Sequence, residues 1–174
     1  MIDLKEIVEG LECVSNDVTF YLDTLSGEVI PMTEEQRKEA DMEGSEDDHA
    51  HEWQRELRAE AKLIIDNIGN RFLRLPDSFE LHNWQIMDDF CRSIADPQVS
   101  IEFNQAIHGS GAFRNFRRCL ERHELEKPWY SHRRRALREI AIEWCRENGV
   151  DYQDSAGPSE TIHVKTLSPH QRSD

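Results

Sequence analysis

Apolar residues recur at intervals of three and four in five stretches of this chain, which commits most of it to helices packed through one face. The first is short: Leu4, Ile7, Val8 and Leu11 predict an amphipathic helix over residues 2 to 13. The second runs from Trp53 through Leu57, Ala61 and Ile64 to Ile68, with Gly69 placed to end it. Trp84, Met87, Phe90, Cys91 and Ile94 form the third, in a helix that Asp77 and Glu80 are spaced to start. Ala112, Phe113, Phe116, Cys119 and Leu120 make the fourth, and Leu137, Ile140, Ala141, Trp144 and Cys145 the fifth. Asp96-Pro97 opens one further helix, which Gly109 ends, because Pro is favoured at a first helical position.

Two segments break this pattern. Val18 to Pro31 carries two β-prone runs around a turn at Gly27, so strands are expected near 18 to 22 and 27 to 31. A lone hairpin is marginal in water, and residues 70 to 75 before Pro76 can add a third strand. Thr33 with Gln36 makes a capping box for a helix into Ala40. The expected fold is therefore α+β and mostly helical, with a small antiparallel sheet packed against helices. One domain is expected over residues 1 to 150, since a chain of 174 residues is long enough for one core. Residues 40 to 52 read as a mobile acidic insertion, and the segment from 151 to 174 as a disordered tail.

No stretch approaches the roughly 18 uncharged apolar residues that a spanning helix needs, so neither membrane attachment nor a signal peptide is expected. Cys13, Cys91, Cys119 and Cys145 form no C-x-x-C pair, and three of them fall on apolar stripes. They read as reduced core residues of a cytoplasmic protein.

The net charge of -14 is unevenly spread. Residues 1 to 100 hold 9 Lys/Arg against 24 Asp/Glu, whereas residues 109 to 138 hold nine basic and three acidic residues. Exposed charges are screened beyond roughly 8 Å at physiological salt, so this basic island can act despite the acidic total.

Several segments are similar to a known family: Tyr21-Leu22-Asp23 with Gly27-Glu28-Val29, Leu75-Pro76, Met87 to Phe90, Trp129-Tyr130, Trp144 with Gly149, and above all Ala106 to Phe116. With these the chain resembles the bacterial uncharacterised protein family 0158 over roughly residues 1 to 150. The resemblance implies a bacterial cytoplasmic protein of α+β fold, and no activity for any residue.

The basic island offers a candidate binding face. Arg114, Arg117, Arg118 and Arg122 lie on the fourth striped helix, and Lys127, Arg133, Arg134, Arg135 and Arg138 on the fifth, beside Trp129 and Tyr130. Such a face fits a protein partner or, as the alternative, nucleic-acid backbone with aromatic stacking. The competing structural role is pairing with the chain's own 35 carboxylates.

A third possibility is anion binding at the turn His108-Gly109-Ser110-Gly111, with Arg114 nearby, where a helix N-terminus exposes unpaired N–H groups. Equally, the two glycines cap one helix and start the next. Asp47, Asp48, His49 and His51 could ligate a metal, but no rigid scaffold holds them, and no cofactor is expected.

Nothing points to a reaction. Asp88 and Asp89 diverge from adjacent helical positions and read as surface residues; Ser110 beside His108 lacks a third, orienting group. The expected role is a non-enzymatic regulatory or adaptor protein.

Overall fold

The computed structural model describes residues 1–41 and 52–155. The candidate metal residues Asp47 to His51, most of the acidic insertion and the tail after residue 155 lie outside them. The elements follow in the order β1 (Ile2–Asp3), α1 (Leu4–Glu12), β2 (Val18–Asp23), β3 (Val29–Thr33), α2 (Glu34–Asp41), α3 (Glu52–Asp66) and β4 (Phe72–Arg74). Then come α4 (Asn83–Ser93), α5 (Pro97–Ala106), α6 (Ala112–His123), α7 (Glu126–Glu147) and β5 (Tyr152–Gln153). Helices dominate, beside one small antiparallel sheet, as the periodicity predicts.

The chain forms two compact units: residues up to His82 together with those from Ala136, and Asn83–Arg135. In the first, β2 is central, with β3 and β4 antiparallel on either side. Tyr21 opposes Ile30 on one strand and Arg74 on the other, so the third strand completes the hairpin. Tyr21, Met32 and Phe72 pack with Ala61 and Ile64 of α3, and Leu4, Ile7, Val8 and Leu11 bury the apolar face of α1.

Local chemistry fixes the ends of these elements. The Thr33 capping box is formed: Gln36 N–H donates to Thr33 Oγ1 at 3.2 Å, and Thr33 N–H to Gln36 Oε1 at 2.8 Å. At the other end of the hairpin the buried Asp23 carboxylate accepts from Arg71 Nε (2.9 Å) and Nη2 (2.7 Å) and from the Leu25 N–H (3.0 Å). The Arg71 hydrogen bonds, against the cost of burial, hold the carboxyl down at about 2.

Several features depart from the sequence expectation, among them Cys13, which is exposed rather than in the core. Asp77 and Glu80 do make capping bonds, but His82 follows with φ of 47°, so the capped segment is only a turn and α4 starts afresh at Asn83. Asp88 is 4% exposed rather than on the surface; a buried carboxylate needs a counter-ion, and Arg92 supplies it one turn later at 2.5 Å. Residues 151 to 155, expected in the tail, carry β5, which pairs in parallel with β1. That clasp is fastened by an Arg138–Asp154 ion pair and by Ser155 Oγ donating to Asp3 Oδ2 at 2.6 Å. Finally, the apolar stripe of α3 is covered only in part: Ala61 and Ile64 are buried, but Trp53 is 58% exposed.

The second unit is a helical cluster with an aromatic centre. Phe90, Phe103, Phe116 and Trp129 meet edge to face, with centroids 4.8 Å apart for Phe116–Trp129 and 5.5 Å for Phe103–Phe116. Such contacts add about 0.5–1.5 kcal/mol each beyond the area they bury. Cys91 and Cys119 fill the remaining space, and burial pushes the Cys91 thiol up to about 12. Asp96 caps α5 by accepting from the N–H groups of Gln98 (2.8 Å) and Val99 (3.3 Å). No helix among the described residues is long and apolar enough to cross a membrane.

Candidate functional site

The predicted arginines fall into three environments. Arg122 and Arg138 are taken up by the chain's own carboxylates, Glu102 and Asp154 respectively. Glu102 also meets His123 Nε2 at 2.8 Å, and that contact, followed by the Arg122 charge, draws its carboxyl below the usual range. Arg135 lies on the exposed side of α7, 3.3 Å from the ring of His132. Arg114 and Arg118 stand exposed on α6, with no ion pair to any described residue.

Arg117 and Arg133 belong to neither group. They flank a cleft of 560 Å³ between α6 and the first turns of α7. Its apolar wall comes from the buried side chains of Met87, Phe116 and Leu120. Phe113, predicted to lie in the core, is instead 64% exposed beside the cleft, and Tyr130 is 59% exposed.

The reason is geometric. On α6, Phe116, Cys119 and Leu120 point into the cluster, and residue 113 sits off the centre of that stripe. Trp129 joins the wall with one edge while its ring packs on Phe90 and Phe116. Two carboxylates, Glu121 and Glu126, also line the cleft. Glu121 lies one turn from Arg117 at 4.0 Å, and both are mostly solvated. Exposed pairs of this kind contribute about 0.3–0.5 kcal/mol, so Arg117 is readily given up to a new partner.

The family model described as Uncharacterised protein family (UPF0158) matches residues 1–160. The chain belongs to that family. A curated UPF0158 protein of Pseudomonas aeruginosa is 26% identical over 161 residues, covering 92% of this chain and 90% of that one. No solved structure matches the chain. The segment Ala106 to Phe116, on which the resemblance chiefly rests, supplies both Phe113 and Phe116 of the cleft.

Within that segment the turn between α5 and α6 has a plain backbone explanation. Gly109 and Gly111 adopt φ of 88° and 76°, left-handed values that a side chain would oppose. Ser110 is exposed, and no side chain caps α6 at Gly111. His108 turns back on its own helix, with Nδ1 2.5 Å from the Asn104 carbonyl and its ring edge-on to Trp84 at 5.9 Å. His108 and Arg114 are not brought together with the turn by any contact among the described residues.

Sequence reasoning missed the acidic members, Glu121 and Glu126, and the exposed position of Phe113. Their signal was present: Arg117 and Glu121 are four apart, and position 113 lies at the margin of its stripe.

Proposed function

We propose that this is a non-enzymatic, cytoplasmic regulatory or adaptor protein that binds another macromolecule, in the first place a protein, through the cleft between α6 and α7. The observation that carries the reading is the pair of exposed rings, Phe113 and Tyr130, beside an apolar wall flanked by Arg117 and Arg133. Protein interfaces have this composition: an apolar centre, aromatic and arginine anchors, and a charged rim. Among the described residues, the cleft lining holds no thiol, hydroxyl nucleophile of serine type or imidazole. Burial keeps Cys91 and Cys145 protonated, at about 12 and about 11, which supports a packing role for both.

The test is capture of partners from native cells by the wild-type protein and by a Phe113→Ala/Tyr130→Ala variant, with quantitative mass spectrometry. The reading requires specific partners of the wild type that the variant loses while its circular dichroism and melting temperature are unchanged. Identical partner sets for both proteins would overturn it.

Nucleic acid is the second reading, favoured by Arg114 and Arg118, which are exposed beside Arg117 on the same helix. It requires gel retardation of nucleic acid at low salt that falls steeply as salt rises. Absence of retardation at low salt would remove it.

A further inference from the structure

We infer that the partner segment taken up by the α6/α7 cleft is an acidic peptide with an aromatic or large aliphatic side chain between its carboxylates. This rests on the proposed reading of the cleft and names the chemistry of its partner.

The argument begins with charge. Between Ala112 and Arg135 there are eight basic and three acidic residues, in a chain whose net charge is -14. Three basic groups of α6 are exposed: Arg117 lines the cleft, and Arg114 and Arg118, one turn apart, stand beside it on the side of the helix opposite its buried stripe. Arg122, one turn beyond Arg118, instead pairs with Glu102 of α5. A partner helix or strand bearing carboxylates at matching spacing can form several guanidinium pairs at once. Arginine is suited to this because its planar fork accepts a carboxylate with two parallel hydrogen bonds.

Apolar shape supplies the second constraint. Phe113 and Tyr130 are mostly exposed, although α6 buries Phe116 and Leu120 next to Phe113. The wall between the exposed rings is Met87, Phe116 and Leu120, none of which offers a hydrogen-bonding group. An aromatic or branched aliphatic side chain fills such a space without leaving a polar atom unpaired. The exposed rings then shield the guanidinium pairs from water, which strengthens them.

Glu121 and Glu126 sharpen the preference for a peptide over nucleic acid. A phosphate backbone carries charge at every residue and would meet both carboxylates, whereas a peptide places its acids only where arginines stand. The Arg117–Glu121 pair, weak because both groups are solvated, serves as an exchangeable contact that a partner carboxylate replaces.

The experiment is selection of a random dodecapeptide library displayed on phage against the full chain, with counter-selection against Phe113→Ala/Tyr130→Ala. Enriched sequences are expected to combine Asp or Glu with Phe, Trp, Leu or Ile. Synthetic versions should bind about tenfold more weakly to Arg117→Glu in fluorescence anisotropy, and more weakly as salt rises. Enrichment of basic or uncharged sequences that still depend on Phe113 overturns this inference and leaves the binding reading standing. So does a single-stranded oligonucleotide that binds the full chain and loses binding in Arg117→Glu when no acidic peptide is enriched. Failure to recover any Phe113-dependent ligand, peptide or oligonucleotide, overturns both.

Discussion

In the sheet-containing unit, a cleft of 270 Å³ between α2 and α3 sets the exposed Trp53 ring among Glu35, Glu39 and Arg58. In the helical unit, the larger cleft sets Phe113 and Tyr130 beside Arg117 and Arg133. Both units leave aromatic surface in water, but acids outnumber bases around Trp53, whereas Arg117 and Arg133 balance Glu121 and Glu126 in the larger cleft. Particular arginines differ too, although Arg92 and Arg122 of the helical unit are themselves paired, with Asp88 and Glu102. Arg58, Arg71, Arg74 and Arg138 of the first unit each meet a carboxylate, whereas Arg114 and Arg118 meet none among the described residues. Guanidinium groups matched internally hold the fold, whereas those of Arg114 and Arg118 stay in solvent.

The contrast is broken most severely by removing a ring from the aromatic centre. Phe103→Ala leaves a cavity among Phe90, Phe116 and Cys119, and should cost about 3–5 kcal/mol in denaturant unfolding. A loss below about 1 kcal/mol would mean that this cluster does not hold the helical unit together.

Next in size is the matched charge of the sheet unit. Asp23→Asn removes one partner of a hydrogen-bonded pair and should cost about 1–3 kcal/mol at neutral pH. Because the Asp23 carboxyl is held at about 2, below its unfolded value of about 3.9, its contribution is complete above the unfolded value. It is lost as pH falls toward about 2, so wild-type stability should drop more steeply than that of the variant between those two values. Parallel acid titrations of unfolding free energy would show it, and parallel slopes would deny the pair that role.

Smaller still is the cap of α5: Asp96→Ala should cost about 1 kcal/mol, and Asp96→Asn much less, read by thermal denaturation. Smallest is Phe113→Ala, expected to change stability by no more than about 0.5 kcal/mol because the ring is mostly solvated already. A large destabilisation would show Phe113 to be a packing residue and would erase the distinction between the two clefts.

Much of the scaffold was legible from spacing and caps. The Thr33 box, the Asp96-Pro97 start and the buried members of each stripe reflect contacts within a few residues, which periodicity reads directly. The third strand was legible from the weakness of a lone hairpin. What escaped depended on groups distant in sequence. Nothing near Arg138 announces Asp154, sixteen residues on, and nothing near Arg122 announces Glu102.

Periodicity also marks which side of a helix is apolar without telling how far its neighbours extend. Trp53 and Phe113 were therefore assigned to covered stripes that in fact stop short of them. Of the site, the arginines and the Trp129-Tyr130 pair were legible; the cleft was not, because it is made by one side of α6, the first turns of α7 and residues of α4 distant in sequence.

The parallel pairing of Ile2–Asp3 with Tyr152–Gln153 has a consequence for biosynthesis. A chain emerging from the ribosome exposes the whole of Asn83–Arg135 before the sheet-containing unit has received its last helical segment or its closing strand. The helical unit is thus continuous in translation order, while the other must wait, with its first 82 residues already synthesised, for the stretch that begins at Ala136.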